Sequence, residues 1–303
     1  MAFKSVLVLG GLGQTGGLLA RSFTNAGAEV TYADRHDRPE YVPPGSYLQG
    51  DVTRPDAVLL KSIAAAECVL VCLPEEAALS AAGPILGAMA DGALWVDTLS
   101  VKNGICRLLG DCRRSIEMVS INPMFAPALG WQGHPVAVIA LSSGPKSQTL
   151  INLLRSWGAA VEVLTAEAHD SLTAIIQVAT HAAILSFGAL LLDLEYSVER
   201  GLAIATPPHR LLLALLSRII SANPAVYWEI QHCHPEGEIV RRRLSRAVEC
   251  LDAAAAADSP AQFQHFFADI RSLLSAKRES LGALSDRIVL EVGKMDQPHL
   301  WEG

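Results

Sequence analysis

The chain has 303 residues, 18% of them charged, and a net charge of -7 with its nine histidines counted neutral. That length suits two globular domains with a sizeable core. The acidic balance disfavours nucleic acid or an anionic membrane surface as partner. An anionic substrate gains nothing from the overall field, so local Arg or His must hold it.

The N-terminal segment MAFKSVLVLG runs directly into an apolar strand and a Gly-rich turn, so no targeting segment is expected. An Ala/Leu-rich helix to about Gly27 follows, then a second strand, AEVTYAD. Further short apolar runs at residues 68–73, 93–97, 117–121, 136–141 and 161–164 read as strands, with helical patterns between several of them. That alternation predicts an α/β Rossmann domain with a doubly wound, mostly parallel sheet over residues 1–164. After residue 165 no convincing strand remains. Residues 166–195, 207–222 and 237–292 read as long helices, punctuated at Pro207-Pro208 and Asn223-Pro224. An all-α domain over 165–303 is therefore predicted. Its apolar helices carry too much surface for a lone small domain, so a homodimer through that domain is expected. The active site is expected at the carboxyl ends of the strands, in the cleft facing the helices.

Mean hydropathy is +0.30. The most apolar stretch, residues 182–192, meets Asp193 and Glu195 at once. It reads as too short to span a bilayer and as a buried helix instead. The six cysteines are Cys68, Cys72, Cys106, Cys112, Cys233 and Cys250, and no CxxC pair accompanies a His cluster. No metal site is expected, and scattered thiols fit a reducing cytoplasm.

Gly11-Leu12-Gly13-Gln14-Thr15-Gly16 fits G-x-G-x-x-G after a strand and before a helix. Gly11 is assigned the tight turn, Gly13 the close approach of a pyrophosphate, and Gly16 the helix–strand packing. Asp34 closes the second strand about twenty residues on, where a carboxylate takes the ribose 2′-hydroxyl and repels a 2′-phosphate. This favours NAD over NADP, although Arg35 and Arg38 follow directly. Leu73 and Pro74, closing the next apolar run, complete the predicted cofactor set.

Later motifs carry a resemblance. They are Asp97-Thr98-Leu99-Ser100-Val101-Lys102-Asn103-Gly104, then Asn122-Pro123-Met124-Phe125-Ala126-Pro127, then Glu167-Ala168-His169-Asp170 with His181 twelve residues beyond His169. Pro207-Pro208-His209-Arg210 and Arg218 come last. In order and spacing this resembles the prephenate dehydrogenase family, over nearly the whole chain. The resemblance implies NAD-dependent oxidative decarboxylation of a cyclohexadiene: hydride leaves ring carbon 4, carbon dioxide leaves carbon 1, and the ring becomes aromatic. It implies that Ser100 lies near the reacting carbon, and that His181, Arg218 and Arg210 hold the carboxylates of a small dicarboxylate substrate. The alternatives are helix-surface charges for Arg210 and Arg218 and a core histidine for His181. His169 reads more readily as support for a helix start or domain interface than as chemistry. Lys102 is read either as substrate-binding or as a solvated loop charge.

The family's catalytic His position is Asn122 here, and the family's next Gly is Ala126. An amide cannot act as a general base near neutral pH. Three explanations compete. Another residue is the base, with His134 the nearest in sequence, although its strand is read as lying at the far end of the sheet. Or the protein is a non-catalytic, nucleotide-binding relative. Or the substrate needs no base, because an amino group at ring carbon 4 drives hydride out with its lone pair. The last is preferred, and the chain then resembles the branch of the family that acts on 4-amino-4-deoxyprephenate. Ordinary prephenate or arogenate oxidation is the alternative. Other Rossmann dehydrogenases with a catalytic Lys on the first long helix of the second domain fit less well, since residues 169–194 contain no Lys.

Overall fold

The computed structural model describes residues 3–37 and 45–294. The chain divides into two compact units, one up to Leu172 and one from Thr173. The first unit contains β1 (Ser5–Leu9), α1 (Gln14–Asn25), β2 (Glu29–Asp34), β3 (Ser46–Gln49), α2 (Ala57–Ala65), β4 (Cys68–Val71) and α3 (Glu75–Ala88). It continues with β5 (Leu94–Asp97), α4 (Asn103–Gly110), β6 (Glu117–Pro123), β7 (Pro135–Ala140), α5 (Pro145–Ser156), β8 (Ala160–Val163) and α6 (Ala166–Thr173).

The eight strands form one sheet in the order β3-β2-β1-β4-β5-β6-β7-β8. Every pairing is parallel except β6 with β7. The order reverses between β1 and β4, which opens a crevice at the carboxyl ends of the strands. The predicted doubly wound, mostly parallel sheet is therefore present. Every residue of β4 (CVLV) and β5 (LWVD) is buried, because helices cover both faces of such a sheet. The period of two divides β1 between two cores: Leu7 and Leu9 join one, Val6 and Val8 the other. The sequence reading missed β3. This edge strand (SYLQ) is exposed at both ends and lacks the apolar run that marks its neighbours.

The second unit is helical, with no strand among its described residues. The long helix predicted from residue 166 is α6, a π-helical stretch Ala174–Ala179, and α7 (Thr180–Asp193). Beyond it lie α8 (Val198–Ile204), α9 (Pro207–Ile220), α10 (Pro224–His232), α11 (Gly237–Ala255), α12 (Pro260–Leu274) and α13 (Arg278–Lys294). The helix predicted over 237–292 thus breaks twice. Ser259 accepts from the Ala261 amide and Pro260 begins α12, a start signal of cap and proline. Ser275 takes φ 32° at the second break.

The continuous helix Ala166–Asp193 has 28 residues, and its most apolar window has a mean hydropathy of 1.9. By length and composition it is long and apolar enough to cross a bilayer. The apolar stretch 182–192 is part of this longer helix, and only 17% of its most apolar window is buried, against the buried helix expected. At its N-terminal end this helix carries His169 and Asp170, which are buried in the sheet-bearing unit.

A Cβ at Gly16 would run into the carbonyl oxygen of Gly10, which is backbone and cannot swing away. We therefore expect Gly16→Ala to cost about 1–3 kcal/mol of stability through forced separation of α1 from the β1 turn. Urea unfolding would register this as a lower midpoint at unchanged slope; an unchanged midpoint would show that the turn has room.

Candidate active site

The turn after β1 depends on glycine at several points. The positive φ falls at Gly10 (79°), one residue before the Gly11 assigned to the tight turn. The amides of Gly10 and Gly11 donate to the Ala33 carbonyl at 2.8 and 3.3 Å, tying the turn to the end of β2. A Cβ at Gly11 would stand 2.9 Å from the Tyr32 ring. At Gly13 a Cβ would meet the Gly10 carbonyl oxygen at 3.3 Å, a tight contact with backbone. No side chain caps the start of α1, which leaves its first amides available to an anion. Asp34 accepts from the Leu12 amide at 3.4 Å and contacts His36 Nδ1 at 2.8 Å. The sequence reading did not single out His36. Gln14 and Arg35 are exposed and Thr15 is half-buried. Leu73 abuts Gly10, and Pro74 directly precedes α3. Arg38 lies outside the described residues. The side-chain-free glycine turn, the uncapped helix start and the carboxylate at the end of β2 fit a dinucleotide pyrophosphate and ribose.

A buried polar network lies at the carboxyl ends of β5 and β6. Asp97 and Ser120 are partners in the parallel register, and Ser120 Oγ donates to Asp97 Oδ1 at 2.6 Å. The Trp95 indole and the Leu99 amide also donate to this carboxylate, each at 3.3 Å. Lys102 is fully buried, and its ammonium donates to the Ile121 carbonyl at 2.8 Å and to Asp97 at 3.4 Å. Burial pulls the Lys102 pKa below the usual lysine value, with Asp97 opposing. Lys102 is therefore neither a solvated loop charge nor a substrate contact. It turns inward because Asp97 and a strand-end carbonyl give its charge a satisfied place. Asp97 stood in the first motif without an assigned role, and Ser120 was not singled out; a strand-end Asp five residues before a Lys was the available signal. Ser100 sits half-buried in the turn between β5 and α4.

Asn122 lies on the same face of β6 as Ser120 and is 3% exposed. Its Nδ2 is 3.1 Å from His169 Nε2, and His169 Nδ1 is 2.8 Å from Asp170 Oδ1. The backbone amides of Lys102 and Asn103 each donate to Asp170 at 2.9 Å, so this carboxylate also caps the start of α4. Burial opposes the charge on Asp170, but hydrogen bonds from His169 and the two amides outweigh it and hold the pKa below the usual carboxylate value. His169 is thus a buried partner of Asn122 and Asp170 near the start of α6.

His134 is less remote than the sequence implied. Because β7 runs antiparallel to β6, it starts beside the carboxyl end of β6, with the Met124 amide donating to the Pro135 carbonyl at 3.0 Å. Its ring packs on Phe125 at 5.0 Å, and its Nδ1 is buried without a hydrogen-bond partner.

In the helical unit, Arg210 donates to the Ala205 and Leu202 carbonyls at 3.2 and 2.9 Å. It closes the end of α8, in place of the free carboxylate donor expected. Arg218 is exposed on the last turn of α9. His181 packs edge-on against Tyr227 at 5.0 Å, and its Nδ1 is buried without a partner. Burial holds its pKa below the ordinary histidine value.

Two outcomes follow from these placements. Lys102→Met leaves Asp97 charged and buried, and should cost about 3–5 kcal/mol in urea unfolding; a loss within experimental error would mean that the pair is dispensable. For His181, the unfolded chain protonates before the folded one as pH falls through about 6.5, so folding weakens toward acid. His181→Gln should lose less stability than wild type between about pH 7.5 and pH 5.5, and equal losses would refute this.

Comparisons with known proteins bear on the family and the fold. Residues 165–254 match the family described as "Prephenate dehydrogenase, dimerization domain". The chain is 36% identical over 291 residues to a 4-amino-4-deoxyprephenate dehydrogenase of Streptomyces pristinaespiralis, covering 94% of this chain and 96% of that one. It is 29% identical over 150 residues to a probable arogenate/prephenate dehydrogenase of Methanocaldococcus jannaschii, covering 48% of this chain and 34% of that one. A crystal structure of prephenate dehydrogenase from A. aeolicus, in complex with hydroxyphenyl propionate and NAD+, shares the fold with a TM-score of 0.70 at 15% identity, covering 93% of this chain and 99% of that one. The chain belongs to the prephenate dehydrogenase family.

Proposed function

We propose that this dehydrogenase uses NAD to oxidise and decarboxylate 4-amino-4-deoxyprephenate to 4-aminophenylpyruvate. The observation that carries the reading is Asn122, a buried amide at the position where the family's resemblance places a histidine base. The relative 36% identical over almost the full chain is named for the same substrate, which supports the choice. NAD, when bound, accepts the hydride from ring carbon 4.

The protein residues act on the substrate. As hydride leaves, the lone pair of the amino nitrogen forms an iminium at carbon 4. Its N–H becomes more acidic, so a hydrogen bond to the Asn122 carbonyl oxygen strengthens toward the transition state. An interaction that strengthens in this way accelerates the step. The bond from carbon 1 to its carboxylate then breaks, its electron pair enters the ring, and carbon dioxide and an aniline result. With a hydroxyl at carbon 4 the same hydride loss gives a protonated ketone, which needs a base, and an amide has none to offer.

His181, with its unpartnered buried Nδ1, and Arg218 are proposed as donors to the substrate carboxylates, and Ser100 as a polar contact near the reacting carbon. A homodimer through the helical unit, in a cytoplasmic protein, accounts for exposed apolar residues such as Leu192 and Ile204.

The test is Asn122→His. A positioned base contributes about 10²–10⁴-fold, so the variant should raise kcat on prephenate by about 10²-fold or more. A wild-type protein that already matches the variant on prephenate would place the base elsewhere, with His134 first to examine.

A further inference from the structure

We propose that His169 and Asp170 are a positioning pair that orients the Asn122 amide, so that its carbonyl oxygen is presented to the substrate. This rests on the reading above that Asn122 faces ring carbon 4.

The orientation follows from a chain of forced donors and acceptors. A backbone N–H can only donate, and one from Lys102 and one from Asn103 reach Oδ1 and Oδ2 of Asp170. An ionised carboxylate only accepts. His169 Nδ1, at 2.8 Å from Oδ1, therefore carries a proton. A neutral imidazole protonated at Nδ1 has its lone pair at Nε2 and can only accept there. The Asn122 group 3.1 Å from Nε2 is then its NH2, and its Oδ1 points the other way. Among the described residues nothing donates to Oδ1, and that atom is not sealed from solvent.

Such a lock has a purpose. The terminal torsion of an asparagine is broad and roughly two-fold. Without a partner, Asn122 would spend part of its time with NH2 toward the amine, donating to the lone pair that must expel hydride. One net hydrogen bond is enough for a preference of about five- to ten-fold. In this geometry the histidine behind the reacting position orients rather than abstracts.

The direct test is nitrogen NMR of ring-labelled histidine in wild-type, NAD-free protein, with His169 assigned through its contact with Asn122. A proton on Nδ1 and a lone pair on Nε2 at neutral pH is expected. A proton on Nε2, in either the neutral or the charged ring, overturns the proposal. Two substitutions add a kinetic readout. His169→Gln keeps an acceptor near the place of Nε2, whereas His169→Asn keeps a donor to Asp170 and abandons Asn122. The Asn variant should lower kcat on 4-amino-4-deoxyprephenate about ten-fold at unchanged KM, and the Gln variant should recover most of it. Equal kcat in wild type and the Asn variant contradicts the role. If wild-type protein does not turn over the amino substrate, the proposed substrate fails, while the tautomer still decides the positioning.

Discussion

The Asp170 carboxylate collects two backbone amides from the start of α4 and the ring N–H of its neighbour His169, and through that ring it reaches Asn122 on β6. Sixty-eight residues of chain separate Lys102 from Asp170. One carboxylate therefore ties a strand-end turn, a helix start and the lead-in to the helical unit into a single hydrogen-bonded unit. Each of its contacts is buried or partly buried, where an unsatisfied polar group is costly. This makes the arrangement stiff, and stiffness is what an amide needs to act as a directed acceptor.

A second buried carboxylate, Asp97, closes β5 beside Ser120 of β6. Ser120, Lys102, Trp95 and Leu99 all donate to it. Lys102 also holds the carbonyl of Ile121, the residue before Asn122. The backbone at the candidate reacting position is thus fixed from below by Lys102, and the side chain from behind by His169. On the other side of the strand-order reversal, the glycine turn after β1 is fastened to the end of β2 through Ala33. Two rigid halves at the carboxyl edge of one sheet suit a reaction in which hydride travels a short, defined path.

Much of this was legible in the sequence, for physical reasons. Strands buried on both faces must be continuous apolar runs, so β1, β4 and β5 declared themselves, whereas β3, a short edge strand with Ser and Gln at its ends, did not. The glycine turn was legible because no other residue type tolerates such close backbone contact. Asn122 stood out only against the family's motif. The inward turn of Lys102 and the reach of Asp170 to α4 were not legible. Side-chain direction in a turn and contacts across tens of residues are set by tertiary packing, to which local spacing is blind. The break before α12 was missed although Ser259-Pro260 signals it, because the apolar pattern on either side remained helical.

The central claim is that an amide in place of a basic group has matched this site to a nitrogen at ring carbon 4. The measurement closest to it is the ratio of kcat/KM for 4-amino-4-deoxyprephenate and prephenate on one preparation of wild-type protein with NAD, followed by absorbance of the reduced nicotinamide. The account predicts a ratio of at least about 10² in favour of the amino substrate, the lower bound of what a missing base costs. A ratio near one, or one favouring prephenate, would contradict it.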